Sequence, residues 1–540
     1  MKAFADLYAA LDETTKTNEK VAALTKYLSA AAPEDAAWAV NFLIGRRPKR
    51  LLESRKLAQW AIEEAGVPEW LFSECHHAVG DFAELIALLL PDARDSSGTP
   101  LPLHYWVEER LLPMREADDQ TRRAWLLSAW REMNERQRFA WNKLITGEFR
   151  VGVSQNLVVR ALAEVSGVSG EVISHRLMGE WQPTPEFWKQ LVAPPASSHS
   201  PATEEALPVS QPYPFFLAYP LEGEVDELGD IREWQVEWKW DGIRAQLLRR
   251  QGGTFLWSRG EELMTGRFPE LEAMGVLLPE GTVIDGEILP WKDGAPLPFA
   301  QMQRRIGRKV LGSRILAEVP VVLMGYDLLE LAGSDVRERP LEWRRSHLES
   351  LAMPGGVLVI SPVVPAGSWD DLKRLREESR ERKVEGFMLK RRGSPYRVGR
   401  RRGDWWKWKI PPYSVDAVLI YAQPGSGRRA SLFTDYTFGV WDSGKLVPFA
   451  KAYSGLTDEE IRKVDGFVRR NTIEKFGPVH VVKPELVFEL AFEGIQHSPR
   501  HRSGIAVRFP RMARWRHDKK PEEADTIENV RALLKTRAGA

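Results

Sequence analysis

Glu237-Trp238-Lys239-Trp240-Asp241-Gly242-Ile243-Arg244 sets one lysine between two tryptophans, just ahead of an Asp-Gly pair and an arginine. The alternation that starts at Trp234 predicts a strand, and Asp241-Gly242 predicts the turn that ends it. A lysine placed this way can act as a nucleophile if its charge is suppressed and an electrophile is held close. Taken alone, the stretch reads equally well as a charged strand end followed by a turn. What lies downstream decides between the two.

Further blocks follow in a fixed order: Ser258-Arg259-Gly260, then Asp285-Gly286-Glu287, then Met324-Gly325-Tyr326-Asp327. Next come Val384-Glu385-Gly386-Phe387-Met388-Leu389-Lys390 and Trp405-Trp406-Lys407-Trp408-Lys409. The last block runs from Arg508-Phe509-Pro510-Arg511 to Arg514, Asp518 and Lys519. The pattern Lys-x-Asp-Gly-x-Arg resembles the nucleotidyltransferase signature of ATP-dependent polynucleotide ligases and mRNA capping enzymes. The whole ordered series is similar to that of ATP-dependent DNA ligases of the three-domain type. It covers nearly the whole chain, most specifically in the last two domains.

That resemblance implies a multidomain fold with three parts. These are an all-α N-terminal DNA-binding domain, an α+β nucleotidyltransferase (ATP-grasp-like) domain with antiparallel sheets, and a C-terminal OB-fold β-barrel. It implies ATP and Mg²⁺, with Mn²⁺ able to substitute, and nicked duplex DNA as the partner. Lys239 would attack the α-phosphorus of ATP and form a phosphoramidate to AMP. A free lysine has a pKa of about 10.4, so nearby cations (Lys407, Lys409 and a bound metal) are expected to disfavour its ammonium form. Lys407 and Lys409 share one strand face, aimed at the α-phosphate, with Trp406 and Trp408 on the other. Glu385 and Glu287 would hold the metal, since hard cations take oxygen ligands. Asp285 is a weaker candidate beside them.

By the same resemblance, Tyr326 stacks on adenine and Glu237 accepts from its exocyclic amine. Arg244 and Arg259 contact ribose or the nick 5′-phosphate, the guanidinium fork matching phosphate oxygens. Arg514, Asp518 and Lys519 close over ATP. Arg508 and Phe509 press into the minor groove, and Arg150 and Gly152 contact DNA from the first domain. The sequence departs from the family pattern in its bulky tryptophans at 238, 240, 406 and 408, in a tyrosine at 326 where phenylalanine is more usual, and most of all in its first domain.

The 540 residues carry a net charge of only +1, which argues mildly against a nucleic-acid enzyme. The positive charge is nevertheless concentrated, between Lys383 and Lys409 and again between Arg500 and Lys520, among aromatics that suit phosphate and base contacts. Met1 to Asp12 has no basic stretch followed by an apolar core, so no secretory signal is expected. The longest apolar run, Leu85 to Leu90, is too short to span a bilayer. The single cysteine, Cys75, excludes an intrachain disulfide. A cytoplasmic monomer, away from membranes, is expected. Cys75-His76-His77 reads as a turn between helices rather than a metal site.

Phe4, Leu7, Tyr8 and Leu11, then Val21, Leu24 and Leu28, recur at helical spacing. Helices are also expected over Asp118–Phe149 and Ser154–Glu164. Gly147 to Ser154, between them, reads as a phosphate clamp or as simple capping. Residues 1–195 are thus assigned to a helical domain, 196–212 to a Pro/Ser/Ala-rich linker, 213–412 to the adenylation domain and 413–540 to the OB domain. Within the last, Ser414–Tyr421, Ser431–Trp441 and Val481–Phe492 read as strands and Asp458–Phe476 as a helix. An RNA ligase, a capping-type nucleotidyltransferase or a non-catalytic DNA end-binding scaffold are the competing readings. The helical front end and the complete C-terminal block favour DNA, and the intact Lys239, Glu385, Lys407 and Lys409 favour catalysis.

Overall fold

Alternation in the Trp234 stretch becomes strand β1 (Trp234–Trp240) in the computed structural model. The structure describes residues 1–46, 51–91, 98–147, 149, 151–194, 209–308, 311–352, 356–425, 429, 431–499 and 501–535. Trp234, Val236 and Trp238 point into one apolar cluster, so Gln235, Glu237 and Lys239 occupy the opposite face. Asp241-Gly242 then passes the chain into β2 (Ile243–Arg250), which belongs to a different sheet. The expected nucleophile therefore sits where the chain crosses from one sheet to another.

The chain divides into two compact units: Met1–Val165 with Pro183–Gln190 and Pro412–Ala540, and Ser166–Gln182 with Leu191–Pro411. In the second unit, β2 pairs with β3 (Gly253–Ser258) and with β4 (Thr282–Lys292). Strand β4 pairs with β5 (Val321–Leu331), and β5 pairs in parallel with the short β6 (Leu358–Ile360). Helices Pro269–Gly275, Phe299–Ile306 and Leu341–Ser350 contribute to the core on this sheet. The second sheet orders Tyr219–Pro220, β8 (Trp405–Lys409), β7 (Val384–Arg391) and β1. Leu248, Trp257, Val283 and Leu329 of the first sheet meet Trp405 and Met388 of the second in a shared cluster, so the two sheets pack face on face. A buried bidentate pair locks the first sheet: Arg344 Nε and Nη2 donate to the two oxygens of Asp327 at 2.7 and 2.9 Å, both side chains fully buried.

The N-terminal part of the first unit is helical, as expected. Phe4, Leu7, Tyr8, Leu11, Val21, Leu24 and Leu28 are all buried. Two expectations for this part need correction. The stretch 118–149 is two helices, Asp119–Glu132 and Glu135–Thr146. Asn134 separates them, because its side chain accepts from Gln137 N–H in a reciprocal capping box. Cys75-His76-His77 lies inside helix Glu69–Val79, which Gly80 terminates in left-handed geometry, and is not a turn. Among the described residues no group of three or more His, Cys, Asp or Glu side chains is placed to hold a metal. The segment assigned as linker falls largely outside the described residues. No described helix is long and apolar enough to cross a membrane.

In the C-terminal part, β9 (Tyr413–Pro424) is long enough to pair with three strands, β10 (Phe433–Asp442), β13 (Val479–Val482) and β14 (Val487–Phe492), as an OB-type fold requires. Strand β11 (Lys445–Ala452), which pairs with β10, escaped the pattern reading because its polar and apolar residues do not alternate cleanly. The helix expected over 458–476 stops at Asn471. Thr472–Phe476 is strand β12, led by two β-branched residues and paired with β13. The single strand expected over 481–492 is two, with Pro484 in the break. Strands β15 (Gly494–His497), β16 (Ile505–Arg508) and β17 (Arg511–Trp515) complete the domain.

Truncating Asp327 to alanine strands the Arg344 guanidinium in the core. The unfolding transition of the unit that contains it should lose about 3–5 kcal/mol, measured by urea denaturation.

Candidate active site

Two glycines set the geometry around Lys239. A Cβ on Gly242 would lie 2.5 Å from the Ile288 carbonyl oxygen and 2.8 Å from Glu287 Cγ, so only glycine lets the turn after Lys239 press against β4. Between Val384 and Phe387 the β1–β7 register shifts in a bulge. Gly386 sits there at φ +126°, with no room for a Cβ against the Trp408 carbonyl. A bulge redirects a side chain, and here Glu385 reaches Lys239. Lys239 Nζ lies 2.5 Å from Glu385 Oε2, and Lys409 Nζ lies 3.1 Å from the same oxygen.

Lys407 sits two residues before Lys409 on the same face of β8, while Trp406 and Trp408 pack into the core cluster with Trp238, as expected. Burial, and then Arg400, Lys409 and Lys239, lower the Lys407 ammonium below its usual range, against the pull of Glu385. Burial pushes the Glu385 carboxyl up, but the cations of Lys239 and Lys409 outweigh it and hold the group below its usual value. Glu287 behaves the other way. Burial, helped by the neighbouring charges of Glu385 and Asp285 and opposed by Lys239 and Arg244, pushes it up to about 7. Lys239 is thus held in an ion pair rather than crowded by cations alone.

Behind this group, Arg244 Nη2 donates to Asp285 Oδ2 at 2.7 Å, and Tyr396 Oη donates to the same oxygen at 2.7 Å. Asp285 is fully buried, so it is a clamp for Arg244. The Arg244 guanidinium lies 5.2 Å from the Phe215 ring centroid and 5.7 Å from that of Tyr326. Arg259 is exposed, and its backbone N–H donates to the Arg244 carbonyl at 2.9 Å, which joins two of the sequence blocks. Glu237, on the same strand face as Lys239, is buried and accepts from Lys390 and Gln235.

The C-terminal residues form a group of their own. Asp518 accepts from Arg516 Nε and Nη2 at 2.9 and 2.7 Å, and Arg516 and Lys519 both donate to Asp416. The Arg516 hydrogen bonds hold Asp518 well below the usual carboxylate range. Arg514 is exposed and 3.5 Å from Glu489. Phe509 is 65% exposed with φ +53°, a left-handed backbone rare for a bulky residue. The Arg508 guanidinium stands 5.1 Å from its ring centroid. In the first domain Gly152 is exposed at φ +60°, and buried Lys20 donates to the carbonyls of Val151 and Gly152. Arg150 lies outside the described residues.

Lys390, Arg516, Asp416 and Tyr396 are the residues the sequence does not single out. Lys390 closes a motif block there with no role assigned to it, and Arg516 reads only as a member of the second basic run. Asp416, on β9 far from the last motif in sequence, carries no local signal at all.

The N-terminal residues 1–163 match the family model "DNA ligase N terminus", residues 217–409 match "ATP dependent DNA ligase domain", and residues 429–519 match "ATP dependent DNA ligase C terminal region". A probable DNA ligase of Koribacter versatilis is 30% identical over 99% of this chain and 97% of its own length. A probable DNA ligase of Opitutus terrae is 31% identical over 98% of this chain, which spans only 62% of that relative. Among solved structures, the one described as Pmar-Lig_PreS3 covers 95% of this chain and 99% of its own at a TM-score of 0.60 and 14% identity, a likeness of fold. With all three family models in order along one chain, and a near full-length relative, this protein belongs to the ATP-dependent DNA ligases.

Proposed function

We propose that Lys239 is the residue adenylated during nick sealing and that Glu385, Glu287, Lys407 and Lys409 form the chemistry around it. The observation that carries this reading is the single carboxylate oxygen of Glu385, set between the ammonium groups of Lys239 and Lys409. The Lys239 lone pair attacks the α-phosphorus of ATP, the bond to pyrophosphate breaks, and the lysine proton leaves. Lys407 and Lys409 offset charge on the α-phosphate oxygens. The 5′-phosphate of the nick then takes AMP from the lysine. Finally the 3′-hydroxyl attacks that phosphate and AMP departs. Glu237 and Tyr326 hold adenine, and Arg244 and Arg259 face the ribose or the 5′-phosphate.

Two nearby carboxylates, one of them forced up by burial and to a lesser degree by the other's charge, suit a hard divalent cation. Glu385 and Glu287 would hold Mg²⁺, or Mn²⁺ in its place, which when bound supplies positive charge at the phosphates. Its binding would also draw Glu385 away from Lys239. Arg514, Asp518 and Lys519 orient pyrophosphate in the first step. The domain that carries them must then make way for DNA. Phe509 on its strained turn, with Arg508 beside it, supports a wedge in the minor groove. Gly152, in a turn pinned by Lys20, and the neighbouring Arg150 contact DNA from the first domain. The boundaries 1–195, 196–212, 213–412 and 413–540 serve as the working domain division. A cytoplasmic site of action accords with the lone cysteine, and an enzyme that wraps its substrate acts as a monomer.

Incubation with labelled ATP and Mg²⁺ should leave AMP on Lys239, located by mass spectrometry, and Lys239→Ala should abolish the transfer. AMP retained on that variant would overturn the assignment. Phe509→Ala should adenylate itself normally yet seal nicked duplex roughly tenfold more slowly, about 1.4 kcal/mol of barrier. Equal loss in both steps would remove the wedge role. In metal-free buffer the folded protein keeps the Glu287 proton up to about pH 7, after the unfolded chain has released its own. Stability should therefore fall as pH rises from about 4.5 to about 7 and level above that. Glu287→Gln should flatten this part of the profile in thermal melts across that range.

A further inference from the structure

Lys390 ends the apolar run of β7, and its side chain is 1% exposed. Its ammonium donates to Glu237 Oε1 at 2.9 Å and lies 4.3 Å from the Tyr326 ring centroid and 4.7 Å from that of Trp405. Gln235 Nε2 donates to the same Glu237 oxygen at 2.7 Å. Two buried donors therefore converge on Oε1, while Oε2 meets no donor among the described residues. A buried ammonium costs more than an apolar side chain of the same size unless its partners compensate the lost hydration. Here the pairing fixes which oxygen of Glu237 stays available, and it ties that carboxylate to the tyrosine assigned to the base.

We infer that Lys390 is a specificity-positioning residue which, with Gln235, locks the Glu237 carboxylate so that Oε2 faces the 6-amino group of a purine and rejects a 6-oxo purine. The inference rests on Glu237 as the adenine acceptor. A 6-amino purine brings an N–H donor to Oε2. A 6-oxo purine brings a carbonyl lone pair against a carboxylate lone pair, with no proton between them. Without the two donors on Oε1, the carboxylate can rotate and the discrimination weakens. Lys390 touches neither phosphate nor the reacting nitrogen in this arrangement, so its loss should act on nucleotide binding and choice more than on the chemical step.

The test uses the full-length protein and single-turnover self-adenylation with labelled ATP and labelled GTP, with circular dichroism as the folding check. Lys390→Met should raise the KM for ATP roughly tenfold, the scale of a lost charge-assisted hydrogen bond, and narrow the ATP-over-GTP preference by a similar factor. The saturating rate should change much less. Lys390→Arg should restore part of the preference, and Gln235→Leu should shift it in the same direction as Lys390→Met but less. A fall in saturating rate with KM and preference unchanged in Lys390→Met would overturn the inference. If Lys390→Met does not fold, an unchanged preference in Gln235→Leu overturns it instead. Should Glu237→Gln alter base preference while Lys390→Met and Gln235→Leu do not, the acceptor role of Glu237 stands and this inference falls. If Glu237→Gln leaves base preference untouched, both fall.

Discussion

The ion pair of Glu385 with Lys239 and Lys409 is the interaction on which the site depends. It forms because two backbone irregularities meet. One is the bulge at Glu385-Gly386, where a side chain on Gly386 would collide with the Trp408 carbonyl. The other is the tight crossing at Gly242, which brings the end of β1 against β4. A regular β7 would keep strict alternation, and Glu385 would not be turned out of register towards Lys239. Steric permission at two glycines therefore decides the electrostatics of a lysine neither of them touches through a side chain.

Charge around that lysine is arranged in layers. Glu385 stays in its anionic range because two cations outweigh its burial, whereas Glu287, with less compensation, is pushed up to about 7. Asp285 is occupied by its pairing with Arg244 and Tyr396. Three carboxylates close together in space thus stand in different electrostatic states by virtue of their partners. The same logic governs the last motif, where Arg516 bridges Asp518 to Asp416 and Lys519 joins them. An ammonium or guanidinium buried without such partners would cost several kcal/mol.

Packing supports these layers from behind. The tryptophans that make the motif strands bulky, Trp238, Trp406 and Trp408, all fill one cluster with Phe387 and Leu389. They face away from the lysines because strand residues alternate sides. The cluster holds β1, β7 and β8 at fixed spacing, and with it the distances among Lys239, Glu385 and Lys409.

Much of this was legible in the chain alone. Alternation fixed which face of β1 and β8 carries the lysines, and helical spacing fixed the buried face of the first helices, because both depend only on local backbone period. The ordered motifs gave the family, and most residues of the candidate site, for the same reason: each is a short, local pattern. Local pattern failed where a cap or a strand partner intervened, at Asn134, at Thr472 and at Pro484. The partners of the motif residues were beyond it altogether. Lys390 against Glu237, Asp416 against Arg516 and Tyr396 against Asp285 join positions more than 90 residues apart, and no periodicity links them. The sequence determined what chemistry the chain can carry, since that resides in side-chain type and local spacing. Only the tertiary structure decided which oxygen faces which nitrogen, since that is set by sheet register, bulges and burial, which exist only once distant segments have packed.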